Sequence, residues 1–248
     1  MEALEFGKYR KERALDYGYR AQSVAQATPD ARAQFIRNTY THLALAVLAF
    51  LALEYVLLSL PGIQNLASVM TQGWNWLLVI GLFFVVSLAA DRMARSEVSR
   101  GVQYAGLALY VVAEAILFVP LLFVAVFMVN DPTLLPTAAL ITGLLFAGLT
   151  TVAFTTKADF SFLRGILVIG GFIALGLIIA SILFGFTLGL IFSVVMVGFA
   201  SIAILYYTSN IIHYYRTDQY VAASVTLFAS VALLFYYVLQ ILISLRNQ

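Results

Sequence analysis

Seven long apolar segments constrain the fold of this chain more than any other feature. They are residues 39–60, 74–90, 101–129, 137–154, 166–184, 188–207 and 220–245. Most approach or exceed the roughly 20 helical residues that cross the hydrocarbon core of a bilayer. Hydrophobic residues make up 62% of the chain and charged residues 10%, against about 25% charged in soluble domains. The pattern predicts an all-α, polytopic membrane protein with seven transmembrane helices. Six spans is the alternative, because only a short turn at 184–187 separates the fifth and sixth segments.

The seventh segment is expected to lie at the centre of the bundle. On a helix of roughly 100° per residue, small and hydroxylated side chains gather on one face of this segment and large aliphatic ones on the opposite face. The small-residue face consists of Ala222, Thr226, Ala229, Ser230, Leu233 and Tyr237. Small side chains let other helices approach closely in lipid, so we expect the other spans to pack around this one.

Basic residues are distributed unevenly between the two sides of the predicted bundle. The N-terminal region and the loops after the second, fourth and sixth segments carry thirteen of the fourteen Lys and Arg residues, and Arg246 is the exception. Because cytosolic loops retain positive charge, we expect a cytosolic N-terminus and, with seven spans, an external C-terminus. Residues 1–38 are predicted to be a cytosolic N-terminal tail, and residues 39–248 the transmembrane domain.

The composition also argues against several classes of function. The chain has no cysteine, only two histidines, and a net charge of +2. We therefore expect no metal site, no cofactor and no nucleic acid partner; the expected partner is the lipid bilayer. No phosphate loop, nucleophile triad or intramembrane protease motif is recognisable, so we expect no catalytic residues and no enzymatic activity.

Four short stretches resemble the bacterial branch of the Bax inhibitor-1 (transmembrane Bax inhibitor motif) family. They are Arg37-Asn38-Thr39-Tyr40, the ILFVP run that ends at Pro120, TTKADFSFLRG at 155–165, and YTSNIIHYYRTDQYVAASVTLF at 207–228. The resemblance extends over nearly all of residues 36–245. It implies a seven-helix membrane fold with a central seventh helix, placed in the plasma (inner) membrane of a bacterium.

The resemblance also implies two functions. The family is associated with a pH-sensitive leak of calcium ions, and some bacterial members bind and modulate a membrane-embedded ATP-dependent protease. In leak-active members two aspartates share a hydrogen bond and sense protons. Tyr207 and Ser230 occupy the corresponding places in this sequence. Both can hydrogen-bond, but neither titrates near neutral pH.

Two acidic residues fall inside the predicted spans. Glu54 lies in the first and Glu114 in the third, at a similar depth of roughly 20 Å from the cytosolic side at 1.5 Å per residue. Ionised carboxylates are costly in hydrocarbon, so we expect each to be protonated or to line a water-filled cavity. Our hypothesis is that they sense protons or cations together with Tyr207 and Ser230. Alternatively, Glu114 is a protonated donor that holds helices together, and Glu54 points outward to the interface.

A second group of polar residues is expected at the cytosolic interface. Asp91 and Arg92 end the second span, and Asn210, His213 and Asp218 lie between the sixth and seventh spans. We interpret them as an inner gate closed by hydrogen bonds or ion pairs. Alternatively, they are solvated loop residues and interfacial anchors.

Two functions therefore stay open: a leak for calcium ions or protons, and a regulator of a membrane protease that acts through the tail.

Overall fold

The computed structural model describes residues 23–156 and 158–246. Seven helices in it are long and apolar enough to cross a membrane, which confirms the all-α, seven-span prediction. A short helix and a π-helical turn add to them. The elements are α1 (Pro29–Ser59), α2 (Ile63–Thr71), α3 (Asn75–Ala94), α4 (Arg100–Phe123) with the π-helical turn Val124–Val129, α5 (Leu134–Thr156), α6 (Leu163–Phe184), α7 (Gly189–His213) and α8 (Tyr220–Arg246).

The first helix begins at Pro29, within the region that the sequence placed in the tail. The side chain of Thr28 accepts a hydrogen bond from the Ala31 amide at 3.4 Å, Pro29 occupies the first turn, and Asp30 adds a negative charge there. These are the residue types that favour a helix N-terminus. The predicted tail, residues 1–38, therefore includes the first turns of α1, and its residues 1–22 lie outside the described residues.

Helix α8 is the central element, as predicted for the seventh span. It packs against α1, α3, α4, α5 and α7. Its aliphatic face, with Leu227 and Leu234 fully buried, packs against neighbouring helices as closely as its small-residue face does, where Ala222 is fully buried. Burial on both faces is what places α8 inside the bundle. Helix α6, by contrast, packs mainly against α7 and is the most exposed of the seven long helices.

Helices α3 and α4 cross closely at Gly106. A Cβ atom built on Gly106 would lie 2.6 Å from the Ala90 carbonyl oxygen and 2.6 Å from the Ala94 amide nitrogen. Ala90 and Ala94 are themselves buried. Three small residues thus allow the two backbones to touch, which is the usual device for tight helix association in lipid.

The turn between α6 and α7 decides between six and seven spans. Gly185 and Gly189 both have positive φ, at 71° and 67°, a conformation that costs glycine little. The chain therefore reverses within a few residues, and α6 and α7 remain two separate spans. With seven spans the first and the last described residues lie at opposite ends of the bundle. Val24 contacts the α7–α8 junction, while Arg246 forms an ion pair with Asp131 between α4 and α5. We call these the N-terminal end and the C-terminal end.

Candidate functional site

Three cavities follow one another along the bundle on the side where α3 and α6 face each other. The first, of about 460 Å³, lies at the N-terminal end, where Arg95, Arg164 and Tyr214 line it. The second, of about 430 Å³, lies in the middle and is lined by Glu114, Tyr207 and Ser230 among others. The third, of about 470 Å³, reaches the C-terminal end at Trp76 and Gln240. The three cavities thus extend along the length of the bundle, with mostly polar residues around the first and mainly apolar walls around the second and third.

Side chains shared by neighbouring cavities separate them from one another. Tyr206 and Tyr207 border both the first and the second cavity. Glu114 borders both the second and the third, together with Phe83, Leu117 and Leu233. Tyr207 and Glu114 therefore stand at the two constrictions of this row of cavities.

The two carboxylates inside the bundle have different surroundings. Glu54 and Glu114 are both 4% exposed, and their charges are close enough to interact. Glu114 lines two cavities, whereas Glu54 lines none of the three. Both oxygens of Glu54 and Oε2 of Glu114 are buried without a hydrogen-bond partner in the described part of the chain. A buried polar group without a partner is costly, which is consistent with protonated carboxyls or with water at the cavity wall.

The N-terminal end of the row is closed by contacts between the α3–α4 loop and the α7–α8 junction. Arg95 donates to the Tyr215 hydroxyl at 3.3 Å, Arg216 pairs with Glu97 at 2.6 Å, and Arg100 donates to a junction carbonyl at 2.7 Å. Arg216 also pairs with Asp218 at 3.0 Å. Hydrogen bonds to Asp218 and Glu97 raise the pKa of Arg216, so its guanidinium stays charged at any physiological pH.

The segment that precedes α1 packs on the same junction. The Val24 amide donates to the Tyr215 carbonyl at 2.8 Å, and Ser23 forms an isolated antiparallel bridge with Arg216. The Val24 side chain is fully buried, and Arg32 donates to the Val24 carbonyl at 3.1 Å. We call residues 23–28 the N-terminal strap. It shares Tyr215 with Arg95, so the strap and the loop contacts depend on the same residue.

The α5–α6 loop is attached to α7 by one serine and one tyrosine. The Ser209 hydroxyl accepts from the Phe160 amide at 3.0 Å, and the Tyr214 hydroxyl donates to Asp159. Hydrogen bonds from Tyr214 and from the Ser161 amide lower the pKa of Asp159, because they stabilise its ionised form. The loop therefore forms part of the first cavity's wall through fixed contacts.

Comparison with known proteins identifies the family. The family described as "Inhibitor of apoptosis-promoting Bax1" matches residues 32–247, nearly all of the described structure. The chain belongs to the Bax inhibitor-1 family. It is also 38% identical over 113 residues to an uncharacterized protein of Pseudomonas aeruginosa; the match covers 45% of this chain and about half, 50%, of that relative.

Three of the four stretches that resemble the Bax inhibitor-1 family meet in the N-terminal half of the bundle, whereas the run that ends at Pro120 lies near the C-terminal end of α4. The 158–160 stretch meets the 207–210 stretch through Ser209. Tyr40, from the first stretch, packs near Phe146 and Phe154 of α5. Residues that are far apart in the sequence thus build the wall and the closure of the first cavity together.

The structure brings together three of the four residues predicted to form the ion path or proton sensor. Glu114, Tyr207 and Ser230 line the second cavity, and Glu54 lies behind Glu114 on α1. Tyr207 and Ser230 do not hydrogen-bond to each other among the described contacts, since the Ser230 hydroxyl donates to the Thr226 carbonyl at 2.9 Å. The aspartate pair of leak-active family members therefore has no direct hydrogen-bonded replacement here. Proton sensing by these four residues stays a prediction.

The five residues predicted for the inner gate have separate positions at the N-terminal end. Asp91 pairs with Arg95 at 2.8 Å within α3 and its cap, and Asp218 pairs with Arg216. Asn210 lines the first cavity. His213 contacts the Ser209 carbonyl at 2.9 Å, one turn earlier in its own helix, and Arg92 is exposed. Asp218, which pairs with Arg216 and whose carbonyl accepts from Arg100, and Asp91, through Arg95, belong to the network that links the two loops.

Sequence reasoning grouped Arg216 with the polar residues of the α7–α8 junction but did not single out the other residues that form this network. They are Arg95, Glu97, Arg100 and Tyr215, together with Val24 of the strap. The sequence signal for this network was that both loops contain residues of opposite charge. That pattern predicts ion pairs between the loops but does not show which residues form them. Among the residues that the structure describes, no group of three His, Asp or Glu side chains could hold a metal ion.

Proposed function

We propose that this protein is a slow leak for cations, with calcium ions and protons as candidates, and that Glu114 controls it. A leak needs a route across the bilayer, a group that attracts the cation, and a closure. The row of three cavities supplies the route, and Glu114 at the second constriction supplies the negative charge. The observation that carries the proposal is a carboxylate with no Lys or Arg partner in the described structure, placed on two cavity walls inside the membrane.

The closure is assigned to the N-terminal end. The network of Arg95, Tyr215, Arg216, Glu97 and Arg100 joins the α3–α4 loop to the α7–α8 junction beside the first cavity. Several partly exposed ion pairs are individually weak, so they can separate without unfolding the helices around them. This is what a closure that opens reversibly requires.

Flux into liposomes tests the proposal. Purified protein is reconstituted with a calcium-sensitive dye inside the vesicles, and the initial rate is measured from pH 6 to pH 8. We expect the rate to rise with pH, because ionised Glu114 attracts a cation and protonated Glu114 does not. Glu54 on α1, Tyr110 on α4 and Tyr236 on α8 are the titratable groups near Glu114, and of these only Glu54 can carry a charge in this pH range. Glu114→Gln is expected to lower the rate at pH 8 roughly tenfold, the effect of losing one nearby charge.

The matched control is Glu54→Gln, because it removes a carboxylate of equal burial that lines none of the three cavities. Its rate and its pH slope are expected to change less than those of Glu114→Gln. No flux above that of empty vesicles would contradict the leak. Equal losses in the two variants would contradict the assignment of Glu114.

The cellular placement is also a proposal. We infer a bacterial inner membrane with the N-terminus in the cytosol, supported by the basic residues Arg95, Arg100, Arg164 and Arg216 at the N-terminal end. An alkaline phosphatase fused after Gln248 should be active only if the C-terminus lies outside.

The alternative function, regulation of a membrane-embedded ATP-dependent protease, stays a prediction. The tail through which it would act lies largely outside the described residues, and co-purification from native membranes with and without residues 1–22 tests it.

A further inference from the structure

The first cavity has the composition of a headgroup site. Two arginines, Arg95 and Arg164, line it together with Ser161, Asn210 and Gln219, and four tyrosines complete the wall: Tyr206, Tyr207, Tyr214 and Tyr215. It lies where the helices end, at the level where tyrosines collect at a membrane interface. A pocket between helices with basic and hydroxyl groups at this depth suits an anionic lipid headgroup.

The two arginines differ in how far their charges are already neutralised. Arg95 is held by Asp91 at 2.8 Å and by the Tyr215 hydroxyl. The Arg164 guanidinium makes no hydrogen bond or ion pair with the described part of the chain and is exposed. Asp91 neutralises Arg95, whereas Asp159 accepts hydrogen bonds only from the neutral Tyr214 hydroxyl and Ser161 amide and keeps its charge. Arg95 and Arg164 are the charged residues that line the cavity, no carboxylate lines it, and Arg164 is the one without an acidic partner in the described part of the chain.

An apolar surface begins directly below Arg164. Leu167 and Val168 follow it by three and four residues, which places them one turn further along the same face of α6. Both line the second cavity, and Val168 is 51% exposed. Helix α6 packs mainly against α7, so the side of α6 that faces α3 opens to the acyl chains of the bilayer. A phosphate above and a hydrocarbon chain below would thus meet matching surfaces.

We propose that an anionic phospholipid binds here, with its phosphate on Arg164 and a hydroxyl or amide donor of the pocket, and with an acyl chain against Leu167 and Val168. Arginine suits this role because its planar guanidinium can donate two parallel hydrogen bonds to a phosphate. Charge complementarity selects an anionic over a zwitterionic lipid, and the apolar surface selects a lipid over a free phosphate. The site borders the cavity of Glu114, because Arg164, Leu167 and Val168 also line the second cavity. Its test measures lipid binding and does not depend on ion conduction.

A thermal-shift titration of the full-length protein in neutral detergent tests the site. Phosphatidylglycerol, phosphatidylcholine with the same acyl chains, and glycerol 3-phosphate are added separately, and an apparent Kd is taken from the rise in Tm. Phosphatidylglycerol is expected to bind most tightly. Arg164→Gln is expected to weaken it roughly tenfold, because a charge-assisted hydrogen bond to phosphate is lost. Arg92→Gln is the matched control: Arg92 is exposed, ends the neighbouring span and does not line the pocket.

Each other outcome overturns part or all of the proposal. Equal binding of phosphatidylglycerol and phosphatidylcholine would show that the site does not select an anionic headgroup. Equal binding of glycerol 3-phosphate would make this a free-phosphate site. Equal losses of phosphatidylglycerol affinity in Arg164→Gln and Arg92→Gln would show that general surface charge, and not this site, attracts the lipid.

A second readout covers the possibility that Arg164→Gln does not fold. Single-tryptophan variants are made in a chain whose Trp74 and Trp76 are replaced by Phe, and a minority of brominated phosphatidylglycerol is added to phosphatidylcholine vesicles. Val168→Trp should be quenched more than Val152→Trp, an exposed position on α5 near the same end of the bundle. Equal quenching at the two positions would show no lipid enrichment beside Arg164 and would overturn the site.

Discussion

Glu114 differs from Glu54 at the scale of single residues, although both are carboxylates with the same small exposure. Glu114 lies on two cavity walls, and Glu54 lies behind it on α1. The sequence predicted both at a similar depth, and the structure confirms that both are buried. Which of them borders a cavity depends on the rotation of α1 and α4 about their axes. That rotation is fixed by packing against α8, which no local pattern in α1 or α4 records.

Alanine substitutions at two glycines, Gly106 and Gly143, are expected to change the free energy of unfolding in opposite directions. Gly106→Ala is expected to destabilise the protein by about 1 to 3 kcal/mol, because the added Cβ would overlap the α3 backbone. Gly143→Ala, in the interior of α5 with no atom within 4 Å of the built Cβ, is expected to stabilise it by up to about 1 kcal/mol. Reversible unfolding in mixed detergent micelles measures both. A Gly106→Ala variant as stable as the natural chain would contradict the close crossing.

Because the pKa of Asp159 is lowered, its contact with Tyr214 is expected not to change with pH near neutrality. The hydrogen bonds of Asp159 stabilise its ionised form. The interaction is therefore fully present above the pKa of an aspartate in the unfolded chain, about 3.9. It is lost only as the pH falls through the still lower value in the folded protein. Between pH 6 and pH 8 the contact with Tyr214 is therefore constant. Asp159→Asn should leave the pH slope of calcium flux unchanged, whereas Glu114→Gln should flatten it; a flattened slope in Asp159→Asn would contradict this assignment.

The N-terminal strap is the element whose role was least visible in the sequence. Residues 23–28 are mostly small or polar, and one valine, Val24, fixes them to the α7–α8 junction. A single apolar residue in a polar stretch carries no periodic pattern, so only the structure reveals its contact. The short helix α2 and the π-helical turn after α4 were not predicted either, because α2 is too short to register as a span and the turn lies inside a continuous apolar run.

Two neighbouring substitutions test the strap. Val24→Asp would bury a carboxylate without a partner, which costs several kcal/mol, so the strap is expected to leave the junction. Ala25→Asp introduces the same charge at an exposed position and should leave the strap in place. Hydrogen exchange of a peptide covering residues 23–28 is expected to speed up in Val24→Asp only. Because the strap and Arg95 share Tyr215, calcium flux should rise in the same variant. Equal exchange in the two variants would contradict the role of Val24.

At the scale of the whole molecule, the sequence predicted the number of spans and the central seventh helix, because hydropathy and small-residue patterns are local. The row of cavities could not be predicted, because it arises where α6 stays away from α3 and α4. A gap between helices is a property of the assembly. The small-residue face of α8 illustrates this: Ala229, Ser230 and Leu233 border the second cavity instead of a close helix contact.

Water access to the second cavity is the most direct test of the account, and a chain without native cysteine suits it well. Ser230→Cys and Ile173→Cys are labelled in liposomes with a small cationic thiol reagent. Both positions lie ten residues after the start of their helices, Tyr220 and Leu163. Ser230 is 3% exposed on the cavity wall, whereas Ile173 is 58% exposed on the outer face of α6. We predict that the thiol of Ser230→Cys reacts and that of Ile173→Cys does not, because thiols react as thiolates in water and not in lipid. Labelling of the Ile173→Cys variant without labelling of Ser230→Cys would contradict a hydrated interior.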